Sequence, residues 1–294
     1  MPDIFYEHDL ENILVMYKEV CEWLNELGFS YSKTRYGLYK KTFEDFFALV
    51  RNEKELNDAD LMSFKRSFDN AYIEINEIIR IYNSLKVLES NNFFAQIKKV
   101  VSGREFRATS ENDQARDFLF ELSVAARFVK AGYNVSLSGL CDVVVDLGAE
   151  GKLFVECKRA KSDKNLITNI KKANKQVVTR MQQSISKKVR GLIAVNITDL
   201  LPSSPMLLPD SPQAGVMIHR GISNNFVRNR RERFDAGKSV KCLGVMCESA
   251  MMHYFSMNSP KSGFIYTRHT EFLAYSQNML FEKISTEISS QDIK

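Results

Sequence analysis

The chain has 294 residues, 44% of them hydrophobic and 26% charged, which is typical of a globular protein with one large domain or two modest ones. No stretch approaches about 20 consecutive apolar residues, and Met1–Glu7 lacks a basic start and an apolar run, so neither a membrane span nor a signal peptide is predicted. The five scattered cysteines contain no CxxC pair, which favours reduced thiols in the cytoplasm over a disulfide framework or a zinc site.

The charge of the chain is unevenly distributed. Residues 1–150 carry a net charge of −7 and residues 151–294 a net charge of +12, which together give the overall +5. The steepest rise lies between residues 158 and 190, where eleven Lys and Arg residues accompany a single acid, Asp163. This pattern predicts attraction of a polyanion such as nucleic acid, and a solvated helix face is the alternative explanation.

The first hundred residues predict a helical module. Apolar residues recur at intervals of three and four over residues 10–28, Thr42–Val50 and from Asp60 to about Leu88, which indicates amphipathic helices. We therefore expect a mainly helical module at residues 1–104. Its aromatic-rich faces are interpreted as packed core, with homo-oligomerisation or binding of a partner protein as the alternative use of one apolar face.

The pattern changes after Ser102 and Gly103, and residues 105–294 predict an α/β domain. A further helix spans residues 113–131 and ends at Gly132, and a loop is expected at Leu201–Pro212. Two basic helices are expected near Asn165–Lys188 and Asn224–Phe234. Strands are expected at Tyr133–Leu137, Asp142–Leu147, Leu153–Cys157, Gly191–Ile197, Val216–His219, Cys242–Val245 and Phe264–Thr267. This order of helices and strands is typical of an α/β sandwich.

The strand around Glu156 and Lys158 carries the main chemical signal. Alternate residues of a strand share a face, so Glu156 and Lys158 point the same way. Asp142 begins the preceding predicted strand, and it falls opposite Glu156 if the connecting loop has three or five residues. A loop of four residues would put the two carboxylates on opposite faces, so the register is a condition of the prediction.

Two carboxylates and a lysine on one face suit phosphodiester hydrolysis. Asp142 and Glu156, helped by the backbone carbonyl of Cys157, would offer hard oxygen ligands to Mg²⁺ or Mn²⁺. Such an ion makes water more acidic and offsets charge on the phosphate, and Lys158 would orient the attacking water or stabilise the transition state. Glu121, at the edge of the apolar stripe of helix 113–131, is a third candidate acid.

The ordered set of Glu121, Gly132, Asp142 and the Glu156-Cys157-Lys158 strand resembles the PD-(D/E)xK, or restriction-endonuclease-like, nuclease superfamily. The similarity covers roughly residues 113–198. It implies an α/β/α core in which Glu121 is the helix glutamate, Asp142 the metal-binding aspartate, and Glu156 and Lys158 the ExK pair. It also implies a metal-dependent endonuclease acting on DNA, with defence against foreign DNA as a role found among members of the superfamily.

Several basic and polar residues are candidates for contacting nucleic acid. Lys172 and Gln176 lie on the helix that follows the ExK strand, where the superfamily often carries polar residues near the site. An RNA-cleaving effector and an inactive nucleic-acid-binding or scaffold protein are the alternatives to a DNA nuclease. The full candidate set is Arg159, Lys161, Lys171, Lys172, Lys175, Gln176, Arg228, Arg230 and Arg231.

Overall fold

A computed structural model describes residues 8–51, 57–105, 113–137, 141–202, 210–255, 263–289 and 291–294. The chain divides into two compact units, Met1–Ala126 with Ser290–Lys294, and Arg127–Ser289. The division falls inside a helix, whereas the sequence placed a boundary between residues 104 and 105. Most of the predicted loop Leu201–Pro212 lies outside the described residues.

Helices form the described part of the first unit, as the periodicity predicted. Asp9, Asn57 and Ser90 cap three of these helices, because each side chain accepts a hydrogen bond from a backbone N–H of the first turn. The second helix begins at Arg35, earlier than the Thr42 expected from apolar spacing. The helices are α1 (Leu10–Glu26), α2 (Arg35–Arg51), α3 (Asp58–Leu85), α4 (Asn91–Val101) and the larger part of α5 (Gln114–Lys130).

The core of the first unit combines stacked aromatic rings with a buried ion cluster. Phe43 stacks on Phe68 at a centroid distance of 5.3 Å. Glu74 Oε1 accepts a hydrogen bond from Arg116 Nε at 2.6 Å, and Glu74 Oε2 lies 3.2 Å from Arg35 Nη2. The buried glutamate therefore meets two buried guanidinium groups, which compensates for its removal from water.

The second unit is built on a mixed sheet with neighbouring strands in chain order. The described residues form β1 (Asn134–Ser136), β2 (Val143–Asp146), β3 (Lys152–Arg159), β4 (Val189–Asn196), β5 (Cys242–Tyr254) and β6 (Phe264–Ala274). The β1–β2, β2–β3 and β5–β6 pairs are antiparallel, whereas β3–β4 and β4–β5 are parallel. The predicted α/β class is confirmed.

Helices pack on both faces of this sheet. The helix α6 (Asp163–Gln183) connects the parallel strands β3 and β4, and it is followed by α7 (Pro212–Arg228), α8 (Arg231–Phe234) and α9 (Met279–Ser289). On one face, α6 approaches β4 closely because Gly191 has no side chain: a Cβ there would lie 2.1 Å from Val177 Cγ1. On the other face, Phe281 of α9 contacts Phe272 of β6.

The predicted strand Val216–His219 is wrong, because these residues lie inside α7. Ser211 accepts a hydrogen bond from the Ala214 N–H at 3.2 Å, and Pro212 occupies the first turn, where its missing N–H costs nothing. The short β-branched run was therefore part of an amphipathic helix that packs on the sheet. The expected helix at 224–234 is divided between the end of α7 and the short α8.

The polarity of the helices and the state of the cysteines can also be read from the structure. Within the described ranges, every helix is too short or too polar to cross a membrane. The five cysteines are all buried and carry free thiols, so none of them forms a disulfide.

Candidate active site

The β2–β3 hairpin meets the register condition set by the sequence. Its loop has the five residues 147–151, and Val143 pairs with Val155, so Asp142 lies one step further along, opposite Glu156. The loop needs Gly151, which has a φ of 92° and approaches the Lys188 carbonyl too closely for any side chain. The turn therefore fixes which acids share a face.

Asp142, Glu156 and Lys158 converge at the end of this hairpin. The Cys157 N–H donates a hydrogen bond to Asp142 Oδ2 at 2.7 Å, which ties the aspartate to the neighbouring strand. Lys158 Nζ donates to Glu156 Oε2 at 3.3 Å and to the Cys157 carbonyl at 3.0 Å, and it lies 4.0 Å from Asp142 Oδ2. We call these three side chains and the Cys157 carbonyl the carboxylate–lysine cluster.

The charges of this cluster are not balanced. Glu156 is only 1% exposed, and its burial, with the nearby negative charge of Asp142, raises its pKa from 4.5 to about 7. Burial works against the charge of Lys158, but Asp142 and Glu156 outweigh this effect and raise the pKa of Lys158. One ammonium therefore serves two carboxylates, and Glu156 takes up a proton more readily than an exposed glutamate.

The helix α6 covers the face of the sheet that carries the cluster. Val177 and Met181 pack in one hydrophobic group with Phe154, and Glu156 shares the face of β3 with Phe154. The positive charge of Arg180, next to Met181, lowers the pKa of Glu156, in opposition to burial and Asp142. The sequence prediction did not single out Arg180, although it follows Gln176 by one helical turn.

Glu121 lies on α5, in the part of that helix that belongs to the first unit, whereas the carboxylate–lysine cluster belongs to the second. Its side chain is half-buried. Its role as a third acidic ligand stays a prediction.

The donor set of the cluster suits a hard cation, although it is small. Among the described residues, His, Cys, Asp and Glu side chains form no group of three or more placed to hold a metal ion. Two carboxylates are nevertheless sufficient for Mg²⁺ in sites where waters and substrate phosphates supply the remaining ligands. The Lys158 ammonium already contacts the Glu156 carboxylate and the Cys157 carbonyl, so these oxygens are arranged to hold a positive charge.

The predicted nucleic-acid-binding residues fall into two groups. Lys171, Lys172, Lys175 and Arg228 are exposed, and Lys161 and Gln176 are half-buried. The others are held by protein groups: Arg159 is 8% exposed and pairs with Asp199 at 2.8 Å, Arg230 with Asp163 at 2.6 Å, and Arg231 with Asp235 at 3.1 Å. Arg159 and Asp199 lie 40 residues apart, and Arg230 and Asp163 lie 67 apart, so no local pattern could reveal these pairs.

Three histidines with no suggestive spacing in sequence meet between α7 and the β5–β6 hairpin. His219 lies 2.9 Å from the Ser249 hydroxyl and 2.8 Å from the Thr267 hydroxyl, which also contacts His253 at 3.0 Å. Burial, helped by the nearby His269 and His253, lowers the pKa of His219 to about 3, and burial lowers that of His253 to about 4. Both rings are therefore neutral near pH 7 and form part of a buried hydroxyl network.

A cavity of about 370 Å³ belongs to the first unit, where Thr34, Arg35, Val101 and Gly103 help to line it. The carboxylate–lysine cluster is the stronger candidate for an active site, because it combines convergent acids, a cation and a raised glutamate pKa. Comparison of the chain with protein-family models, with curated proteins and with solved structures gave no match.

Proposed function

We propose that this protein is a Mg²⁺- or Mn²⁺-dependent endonuclease that hydrolyses DNA phosphodiester bonds, and that residues 105–294 form a restriction-endonuclease-like domain. The observation that carries the proposal is the convergence of Asp142, Glu156 and Lys158 at the end of the β2–β3 hairpin. The raised pKa of Glu156 adds support, because clustered acids with perturbed titration are frequent at catalytic centres.

Each residue of the cluster has a role in this proposal. Asp142, Glu156 and the Cys157 carbonyl would hold the metal ion, and Glu121 is the further acid that the family resemblance implies. When bound, the ion supplies Lewis-acid chemistry, making water more acidic and offsetting negative charge on the phosphate. Lys158 orients the attacking water and stabilises charge on the phosphate through its ammonium group.

The net charge of +12 on residues 151–294 supports a polyanionic substrate. The preference for DNA over RNA, a role in defence and a cytoplasmic location follow from the resemblance and the sequence, and they are part of the proposal. Binding of a second copy or a partner protein through the N-terminal helices is also proposed only on the sequence.

The test is cleavage of plasmid DNA, single-stranded DNA and RNA by the full chain with Mg²⁺, Mn²⁺ or EDTA. We expect metal-dependent DNA cleavage that falls at least about 100-fold in Glu156→Gln and Lys158→Ala, since each variant removes a ligand or a charge at the reacting phosphate. Glu150→Gln is the matched control, because Glu150 is an exposed carboxylate in the loop of the same hairpin.

The other outcomes identify the alternatives. Cleavage of RNA alone, lost in the same variants, would make the protein an RNA-cleaving effector. Binding of nucleic acid without metal-dependent cleavage of any substrate would reject the enzyme and leave a binding or scaffold protein. Cleavage that persists in Glu156→Gln would place the active site elsewhere.

A further inference from the structure

A stripe of polar residues runs along one flank of α6. Asn169, Lys172, Gln176 and Arg180 are spaced by three and four residues, so they are neighbours on the helix surface. The adjoining stripe toward the sheet is buried and contains Leu166, Ile170, Ala173, Val177 and Met181. The polar flank therefore borders the part of the helix that packs on the sheet.

The opposite flank of α6 identifies the direction that the polar flank faces. Asn174, on that opposite flank, donates to the Ala236 carbonyl at 3.2 Å and to the Tyr275 hydroxyl at 2.9 Å. Lys171, on the same flank, lies beside Gly237. That side faces α8 and the end of β6, so the flank with Gln176 and Arg180 faces the other way, toward β2, whose Val144 packs with Val177 and Met181 of α6.

Among the described residues, neither the Gln176 Oε1 atom nor the Arg180 guanidinium has a hydrogen-bond or ion-pair partner. The Gln176 Oε1 atom is buried and accepts no hydrogen bond from the described residues, which is costly for a buried amide. Arg180 is half-buried, and within the described residues it makes no hydrogen bond or ion pair. By contrast, Arg159, Arg230 and Arg233 each pair with an aspartate.

We propose that Arg180 is a positioning residue that holds a backbone phosphate of the substrate strand beside the carboxylate–lysine cluster, with Gln176 as its neutral hydrogen-bonding neighbour. This inference rests on the proposed nuclease function. A guanidinium group suits the task, because its planar donors match two phosphate oxygens and it stays charged when water is excluded. Its influence on Glu156 is consistent with a place near the cluster.

The charge of the carboxylate–lysine cluster explains why a further cation would be needed beside it. Asp142 and Glu156 give the cluster two acids against Lys158, so the approach of a phosphate adds negative charge to a site that already carries an excess of acid groups. A cation beside the cluster offsets that repulsion for the incoming strand. Arg180 supplies this charge from the helix without occupying the ligand oxygens of the strands.

The test measures binding of a duplex DNA oligonucleotide to the full chain in EDTA, over a series of salt concentrations. Arg180→Gln should weaken binding about tenfold and reduce the slope of log K against log salt by about 0.9, the value for one lost phosphate contact. Arg180→Lys should keep the slope, because it keeps the charge. Lys283→Gln is the matched control: it removes one exposed charge from α9, on the other face of the sheet, and should keep the slope of the wild type.

Two further measurements on the same variants are DNA cleavage with Mg²⁺ and unfolding in urea. Together they distinguish a role of Arg180 in substrate binding from a role in the fold. Arg180→Gln should raise KM more than it lowers kcat, which a purely structural role would not produce. If the wild type cleaves DNA and Arg180→Gln binds with the slope of Lys283→Gln, this inference is overturned and the nuclease stands. If the wild type neither binds nor cleaves nucleic acid, the proposed function fails and the inference with it. Unfolding of both Arg180 variants would assign the residue to the fold and would also overturn the inference.

Discussion

Glu156 on β3 and Glu248 on β5 are glutamates of the same sheet, each 1% exposed, and their surroundings differ in charge. Glu248 Oε2 accepts a hydrogen bond from Arg127 Nε at 2.8 Å, and Glu248 Oε1 pairs with Arg268. Glu156 has the Lys158 ammonium at 3.3 Å, and it shares that ammonium with Asp142.

This difference separates a structural ion cluster from a candidate active site. Arg127 also donates to Thr270 Oγ1 at 2.8 Å and to the Ile288 carbonyl at 2.6 Å, so Glu248 belongs to a network that joins β5, β6 and α9. A buried charge with full compensation favours one packed arrangement. The carboxylate–lysine cluster keeps an excess of acid, which raises the pKa of Glu156 and favours a further cation.

The largest expected effect on stability is at Glu248. Glu248→Gln leaves the buried guanidinium groups of Arg127 and Arg268 without their carboxylate, and we expect a loss of about 3–5 kcal/mol in the free energy of unfolding. Urea denaturation measures this loss. Glu271→Gln, on the neighbouring strand but only partly buried, should lose less than about 1 kcal/mol. Equal effects of the two substitutions would contradict the comparison.

Substitution of Glu156 should change the free energy of unfolding by a smaller amount and in the opposite direction to substitution of Glu248. Its pKa is about 7 in the folded chain and near 4.5 in the unfolded chain, so between these values the folded chain binds more protons. The free energy of unfolding should therefore fall as the pH rises from about 4.5 to 7, by about 1–3 kcal/mol. Glu156→Gln should remove this fall and match or exceed the wild type in stability above pH 7.

Urea denaturation in metal-free buffer between pH 4.5 and 8 measures the pH dependence. Asp146→Asn is the control, since Asp146 is an exposed carboxylate on β2. A stability profile that is the same in the wild type and in Glu156→Gln would show that the folded chain holds no excess proton at Glu156.

The smallest effect is expected at the edge of the Glu248 network. Thr270→Val keeps the shape of the side chain and removes the hydroxyl that accepts from Arg127. The loss of one hydrogen bond to a charged donor should cost about 1–2 kcal/mol, measured by the same denaturation. A loss as large as that of Glu248→Gln would mean that the hydroxyl, and not the carboxylate, dominates the network.

The β2–β3 hairpin could be predicted from sequence except for its register. Strand periodicity put Glu156 and Lys158 on one face, and the turn residues lay between the two strands. The length of the turn was open, because a change of one residue exchanges the two faces of a strand. The five-residue turn, closed by Gly151 against Lys188, decided that Asp142 and Glu156 face each other.

The α7 helix and the arginine pairs show where local patterns were insufficient. Val216–His219 has β-branched and apolar residues, but the Ser211 cap and the buried face against β5 and β6 make it helical. The basic residues of the second half looked equivalent by charge. Asp199 and Asp163, distant in sequence, bind Arg159 and Arg230, whereas Lys172 and Arg180 have no such partner among the described residues.

The sequence by itself determined the helical first half, the α/β second half and the shared face of Glu156 and Lys158, because these depend on the repeat of three to four residues in helices and of two in strands. Only the tertiary structure decided the register of the hairpin, the partners of the buried charges and the face of the sheet on which α6 packs. These features depend on contacts between residues far apart in the chain, whose energies no local repeat contains.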